Sequence, residues 1–298
     1  MISHPELTVG VPVYNGERYL RESLDALARQ SYGEFRGIIG DNCSTDGTQE
    51  IARQFVREDS RFEYVRHEEN IGGVRNSNYL LGCAQSRWFK WAYHDDLCDF
   101  DLFEKSMKVL AGAPESVLAY PRVRLIDESG AVVGQHEDER LNIMSDSPDE
   151  RVAVVLRAVV TQVQFGIMLT EVAKASGGTN HSVAGEMILP VALALRGKLV
   201  LVSDGFVSIR QHADRHGGGR RSEMAWVNPN KKRTLFPYSR STFLLLQEVR
   251  RAALSATGRR NCVISVLRNW TGPQWRVLVG DLVRAPADLG LVRFGRSG

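Results

Sequence analysis

The 298-residue chain has no apolar run of about 18 residues or more, so no segment is expected to cross a bilayer as a helix. Its first residues, Met-Ile-Ser-His-Pro-Glu, lack the basic-then-apolar pattern of a secretory leader, and a cytoplasmic protein is expected. Cysteine is scarce. Cys43, Cys83, Cys98 and Cys262 are scattered and form no C-x-x-C pair, which argues against a zinc site or a disulfide framework and fits a reducing compartment. No internal repeat is visible. What is present is ordinary for a globular protein with a sizeable core: 43% hydrophobic and 24% charged residues.

The charge is uneven. Residues 231–298 hold 13 Lys/Arg against Glu248, Asp281 and Asp288, a net of +10, while the remaining 25 Lys/Arg and 32 Asp/Glu leave −7 on residues 1–230. Such asymmetry marks a separate C-terminal segment that faces something anionic. We therefore expect two units, a catalytic domain over 1–225 and a helical, basic extension over 226–298.

Strand and helix patterns alternate through the first unit. Leu7–Val13, Phe35–Gly40, Phe62–Arg66 and Trp88–Tyr93 read as strands, with Pro12 near the end of the first because a central strand cannot spare an amide. Helical spacing covers Glu17–Arg29, Thr48–Arg57, Val74–Ala84 and Asp101–Ala111. Alternation of this kind means crossover connections and a parallel sheet. Farther on, Val117–Ile126, Ala131–Gly134, Phe165–Leu169 and Leu199–Ile209 read as strands, and Ser203-Asp204-Gly205 as a turn interrupting the last. Ser147-Pro148-Asp149-Glu150 starts a helix, and Glu186–Leu195 is an apolar helix closed by Gly197.

The fourth strand ends abruptly in His94-Asp95-Asp96. Adjacent carboxylates repel each other unless a cation or donor neutralises them. They reach the carboxyl edge of the sheet, where open α/β sheets place ligands. A metal and nucleotide-sugar site and a helix N-cap both account for the pair. The polar loops after the first and second strands bring Tyr14 and Asp41 to the same edge.

Val11-Pro12-Val13-Tyr14-Asn15-Gly16, Asp41-Asn42-Cys43-Ser44-Thr45-Asp46-Gly47-Thr48, Asn70-Ile71-Gly72-Gly73, His94-Asp95-Asp96, Gly185-Glu186-Met187 and Arg210-Gln211-His212 together resemble the family 2 glycosyltransferases, over roughly residues 5 to 215. The resemblance implies a GT-A fold, a mostly parallel α/β sheet flanked by helices. It implies metal-dependent, inverting transfer of a sugar from a UDP-, GDP- or dTDP-linked donor to an acceptor hydroxyl on a glycan or lipid-linked acceptor. Pro12, Val13 and Tyr14 then line the base pocket, Asp41 bonds the base, Arg75 approaches the phosphates, Asp95 contacts the ribose, and Asp96 and His212 bind the metal. Oxygen-rich ligation favours Mn²⁺ or Mg²⁺. Glu186 falls at the general base, where the family usually has Asp. The chain also departs from the family's Asp-Asp-Gly-Ser-Thr-Asp pattern at Asn42 and Cys43, and has His94 where an acid is more common.

Residue by residue, blander readings stand beside these: a turn tyrosine at Tyr14, an Asx-turn at Asp41, a solvated helix residue at Arg75, a structural His212, and a helix-start acid at Glu186. Arg220 and Arg221, behind a triple glycine, read either as a phosphate lid or as a basic loop. Two rival functions remain, a nucleotidyltransferase and a sugar-nucleotide-binding protein without catalysis. Against the first, Tyr14-Asn15-Gly16-Glu17 lacks a string of glycines. The tail interleaves arginine with Trp270, Trp275 and Phe294. That composition fits an anionic membrane surface, with the protein peripheral on the inner face of the plasma membrane, and equally a helical extension packed on the catalytic domain. Nucleic acid is not expected, because no recognition motif accompanies the charge.

Overall fold

The structure, a computed structural model, describes residues 5–136, 143–158, 162–180, 185–212 and 236–288. Four parallel strands form one half of the sheet, in the order β3 (Phe62–Arg66), β2 (Phe35–Asp41), β1 (Leu7–Val13), β4 (Trp88–Trp91). Beyond β4 the sheet turns mixed. β8 (Ile167–Leu169) runs antiparallel to β4 and to β6 (Ser116–Ile126), β6 pairs parallel with β9 (Lys198–Arg210), and β5 (Leu97–Cys98) closes the edge against β9. β7 (Val132–Gln135) forms a hairpin with β6. The α/β class and mostly parallel arrangement read from sequence are thus present, with an antiparallel strand inserted between the two parallel groups.

β1 is buried at every residue, which accounts for its continuous apolar composition. Its pairing with β4 stops at Gly10↔Trp91, so Pro12 lies beyond the last β4 partner, where the missing amide costs no ladder bond. Helices α1 (Leu20–Ala28), α2 (Thr48–Glu58), α3 (Gly73–Cys83) and α4 (Leu102–Gly112) each bury one stripe on the sheet, as their spacing predicts; α1 does so through Leu20, Leu24 and Leu27. The first of these starts later than its pattern suggests. Glu17 leaves the helix because its carboxylate accepts from the Gly47 amide while its own amide donates to Asp46.

Trp88, Phe89 and Trp91 are core residues, as expected, but the strand they form ends at Trp91 and is followed by β5 within seven residues. Lys90 in its middle is also buried. Its ammonium donates to the Phe165 carbonyl, and burial lowers its pKa. Ser203-Asp204-Gly205 does not interrupt β9. Val202 pairs with Pro121 and Phe206 with Arg122, so the three residues bulge while the strand continues. Three short elements have no counterpart in the sequence reading: β5, α6 (Thr170–Ala175) and a single 3₁₀ turn over Gln162–Phe165, which takes the first residue of the expected strand Phe165–Leu169 and leaves β8 as the rest of it.

The remaining helices are α5 (Pro148–Ala158), α7 (Ile188–Arg196), α8 (Pro237–Arg251), α9 (Ala256–Val266) and α10 (Trp275–Asp288). The C-terminal helices share a core with α5 and α7. Leu245 and Val249 of α8 and Cys262 and Val266 of α9 are buried with Val152, Val155 and Leu189. Glu248, 1% exposed, pairs with Arg196 at the end of α7 and with Arg251, both at 3.0 Å. The expected boundary at 225/226 and the pair Arg220-Arg221 lie outside the described residues.

One side chain joins the elements around the carboxyl edge. Arg210, at the end of β9, is 1% exposed. Its guanidinium donates to the carbonyls of Asp95 (3.1 Å), Asp127 (3.3 Å) and Glu128 (3.1 Å), pairs with Glu22 of α1 (2.7 Å), and lies over the Tyr19 ring at 4.6 Å. Truncation leaves buried carbonyls without a donor, each costing about 1–3 kcal/mol. Arg210→Met is therefore expected to destabilise the protein by about 3 kcal/mol in denaturant unfolding. Glu22→Gln, at a half-exposed position, should cost less than about 1 kcal/mol.

Candidate functional site

The strand order reverses between β1 and β4, and the crevice at such a switch point is where a doubly wound sheet binds ligands. The loops after β1, β2 and β4 meet there. The first two are laced together: the Asn15 amide donates to Ser44, the Gly16 amide to Thr48 (2.8 Å), and the Asn15 side chain accepts from the Thr45 amide. Gly16 is required by close approach, since a Cβ there would fall 2.6 Å from the His94 ring. His94, standing where the family more often has an acid, thus packs against the β1–α1 turn.

Asp95 and Asp96 follow. Asp95 Oδ2 lies 3.0 Å from His212 Nε2, and Asp96 Oδ1 accepts the Arg210 amide at 3.1 Å. Burial disfavours a charged Asp95, but His94 nearby and the His212 hydrogen bond outweigh it and hold its carboxyl below the ordinary value. His212 also stacks at a tilt on Tyr19, 5.2 Å between centroids. Its Nδ1 is buried without a hydrogen-bond partner. The two sequence-expected metal residues therefore reach one edge, but the histidine engages Asp95 rather than Asp96.

The donor set suits a divalent ion. A carboxylate on one ring nitrogen of a histidine orients the imidazole and leaves the other nitrogen for a metal. Among the described residues no group of three or more His, Cys, Asp or Glu is assembled to hold an ion by itself. A cation shared with a diphosphate needs only one or two protein ligands, because phosphate oxygens supply the rest.

On the β2–β3 side, Asp41 is wholly buried. Oδ1 accepts the Ser44 amide (2.8 Å), and Oδ2 accepts the Tyr64 hydroxyl (2.6 Å) and Arg66 (2.8 Å). Burial and the Asp41 hydrogen bond push the Tyr64 phenol up to about 12. Neither Tyr64 nor Arg66 was singled out from sequence. Their spacing, two apart at the end of β3, puts them on one face, but only the observed register, which pairs Arg66 with Asp41, brings that face to the carboxylate.

The Asn42 departure has a local cause. Its amide donates to Asn70 (2.8 Å) and accepts from the Ile71 amide (2.9 Å), which fastens the β2–α2 loop to the loop ahead of α3. A carboxylate could not make the first bond. Cys43 sits at φ 63°, left-handed backbone that favours the glycine usual at this place in the family.

The other expected residues divide. Pro12 and Val13 are buried, Val13 in the core and with its carbonyl accepting the Asn42 amide. Tyr14 is exposed at the turn, and Arg75 is exposed in the first turn of α3. Glu186 is exposed in a 3₁₀ turn, Gly185–Met187, and the apolar helix begins only at Ile188.

A profile of the family described as Glycosyl transferase family 2 matches residues 8–157. The chain is 34% identical over 106 residues to TuaG of Bacillus subtilis, named for teichuronic acid biosynthesis, covering 36% of this chain and 42% of that one. It is 25% identical over 210 residues to EpsH of Bacillus subtilis, covering 70% and 56%. The matched stretch thus spans about half of each relative. Among solved structures, S. aureus TarS with UDP-GlcNAc superposes with a TM-score of 0.67 at 18% identity, over 94% of this chain and 81% of that one. The Pyrobaculum calidifontis mannosyltransferase PcManGT with GDP-Man and Mn²⁺ gives 0.54 at 18%, over 96% and 76%. Both likenesses concern the fold, which is GT-A. With half of its length matched by the profile, the chain belongs to glycosyl transferase family 2.

Proposed function

We propose that the protein transfers a sugar from a nucleoside diphosphate donor to an acceptor hydroxyl, with inversion and with a divalent cation. The observation that carries this is the meeting of Asp95, Asp96 and His212 with the β1–α1 and β2–α2 loops at the sheet's switch point. Family membership supports it, as do the UDP-GlcNAc and the GDP-Man with Mn²⁺ held by its structural neighbours.

In this reading Tyr14 stacks on the base, and Asp41 shapes the base pocket through Tyr64 and Arg66. Asp95 takes the ribose, Arg75 pairs with the diphosphate, and Pro12 and Val13 support the pocket from the core. Asp96 and His212 hold Mn²⁺ or Mg²⁺, and the Asp95 hydrogen bond keeps the imidazole oriented. When bound, the cation offsets the charge gathering on the leaving diphosphate. Glu186 accepts the proton of the acceptor hydroxyl. The acceptor oxygen then bonds to the anomeric carbon as its bond to the diphosphate oxygen breaks on the opposite face. The acceptor is a cell-envelope glycan or a lipid-linked glycan. No helix among the described residues is long and apolar enough to cross a membrane, and the basic tail supports a peripheral position on the cytoplasmic leaflet.

The central reading is tested by thermal shift with a panel of nucleotide sugars, with and without Mn²⁺. At a concentration 100-fold above Kd a bound donor stabilises by about 2.7 kcal/mol, and one donor class should do so strongly only with Mn²⁺. If no nucleotide sugar moves the midpoint under either condition, the donor site is refuted. Glu186→Gln should lower kcat by about 10²–10⁴-fold while leaving donor-induced stabilisation unchanged. Near-normal turnover by that variant removes Glu186 as the base.

A further inference from the structure

The C-terminal helices are divided between two surroundings. The inner side of α9 and the following turn places Cys262, Ser265, Val266 and Trp270 in the interior. Their outer side carries Ile264 and Leu267, 51% and 44% exposed, and α10 continues with Trp275 and Val279 at 57% and 48%. These are larger side chains than several that the same helices bury.

The two stretches are joined by an irregular connection. Leu267–Thr271 is a π turn, in which the Gly272 amide reaches back to the Leu267 carbonyl at 2.8 Å. Residues 272–274 then form a turn, with the Gln274 amide donating to the Thr271 carbonyl and the Trp275 amide to the Gly272 carbonyl, both at 3.2 Å, before α10 starts at Trp275. Ile264 and Leu267, three apart, share a side of the first stretch, and Trp275 and Val279, four apart, share a side of α10.

Charge selects its partner. Residues 256–280 contain Arg259, Arg260, Arg268 and Arg276 and no acidic residue. Arg260, Arg268 and Arg276 are exposed on the same stretch. The next acid, Asp281, is buried and accepts the Ser239 amide at 2.9 Å, so it does not neutralise these arginines. Exposed Trp and aliphatic groups flanked by arginine match the boundary between acyl chains and anionic headgroups. A nucleic acid would use the arginines and leave Ile264, Leu267, Trp275 and Val279 wet. A second copy would place arginine rows against each other.

We propose that these exposed groups, the apolar Ile264, Leu267, Trp275 and Val279 with Arg260, Arg268 and Arg276 on the same stretch, dock the protein on an anionic lipid leaflet. The inference rests on the membrane-facing reading of the tail and is independent of the transfer chemistry, so it is tested without a donor. Full-length protein is sedimented with vesicles of phosphatidylcholine alone and of a phosphatidylglycerol-rich mixture. Binding is expected to the second only, and to weaken with salt. Each basic side chain near an anionic leaflet contributes about fivefold in affinity, so Arg260→Gln, Arg268→Gln and Arg276→Gln together should cost about a hundredfold. Leu267→Ser with Trp275→Ser should reduce binding about tenfold while circular dichroism and Tm stay unchanged, since both positions are exposed. No binding to phosphatidylglycerol-rich vesicles, or equal binding by all variants, overturns the proposal. A dimer seen by light scattering that the serine variant abolishes, without vesicle binding, overturns it in favour of self-association. A variant that binds vesicles normally but transfers no sugar bears on the transfer reading alone.

Discussion

The buried guanidinium of Arg210 is the interaction on which the site's geometry depends. It fastens the end of β9 to the backbone of the acidic loop, to the β6–β7 turn and to α1. Its own amide holds Asp96, and two residues later His212 meets Asp95. A strand from the second half of the chain is thereby locked to the carboxyl edge of the first half. Taking a guanidinium out of water is costly unless each donor finds an acceptor. That requirement, once met by carbonyls from two loops and a carboxylate of α1, restricts these elements to one arrangement.

The same logic operates on the β2–β3 side with opposite signs. Asp41 is a wholly buried carboxylate whose acceptors are filled by an amide, a phenol and a guanidinium. The two buried charged centres divide the edge between them. One sets the β2–β3 side and the other sets the β4–β9 side, with Gly16 and His94 packed between. Asn42 adds a third fastening, from the β2–α2 loop to the loop ahead of α3. The departures from the family pattern are thus structurally accommodated: an amide that bridges two loops, an imidazole that packs on a glycine, and a cysteine held at positive φ.

The C-terminal helices apply the same economy where they pack on α5 and α7. Their inner residues complete the core over α5 and α7, with Glu248 as the buried ionic link. Their outer residues are left apolar and basic. A segment that served packing alone would not need large apolar groups in solvent, since single polar substitutions there cost the core nothing.

Much was legible in the sequence because it depends on local period and turn chemistry. The four parallel strands, their helices, the position of Pro12 and the arrival of Tyr14, Asp41 and Asp95-Asp96 at one edge follow from alternation, helical spacing and the rule that successive loops of a parallel sheet share an edge. Arg75 and Tyr14 are exposed at that edge, whereas Pro12 and Val13 are buried. What only the tertiary structure decided is pairing between distant residues. Nothing in spacing tells that Arg210 bonds Asp95, that His212 chooses Asp95 over Asp96, that Tyr64 and Arg66 fill Asp41, or that β8 enters antiparallel beside β4. Those contacts join positions more than 20 and up to 117 apart in sequence. Local propensity carries no information about such partners; burial does, because each buried charge must find its counterpart wherever the fold brings one.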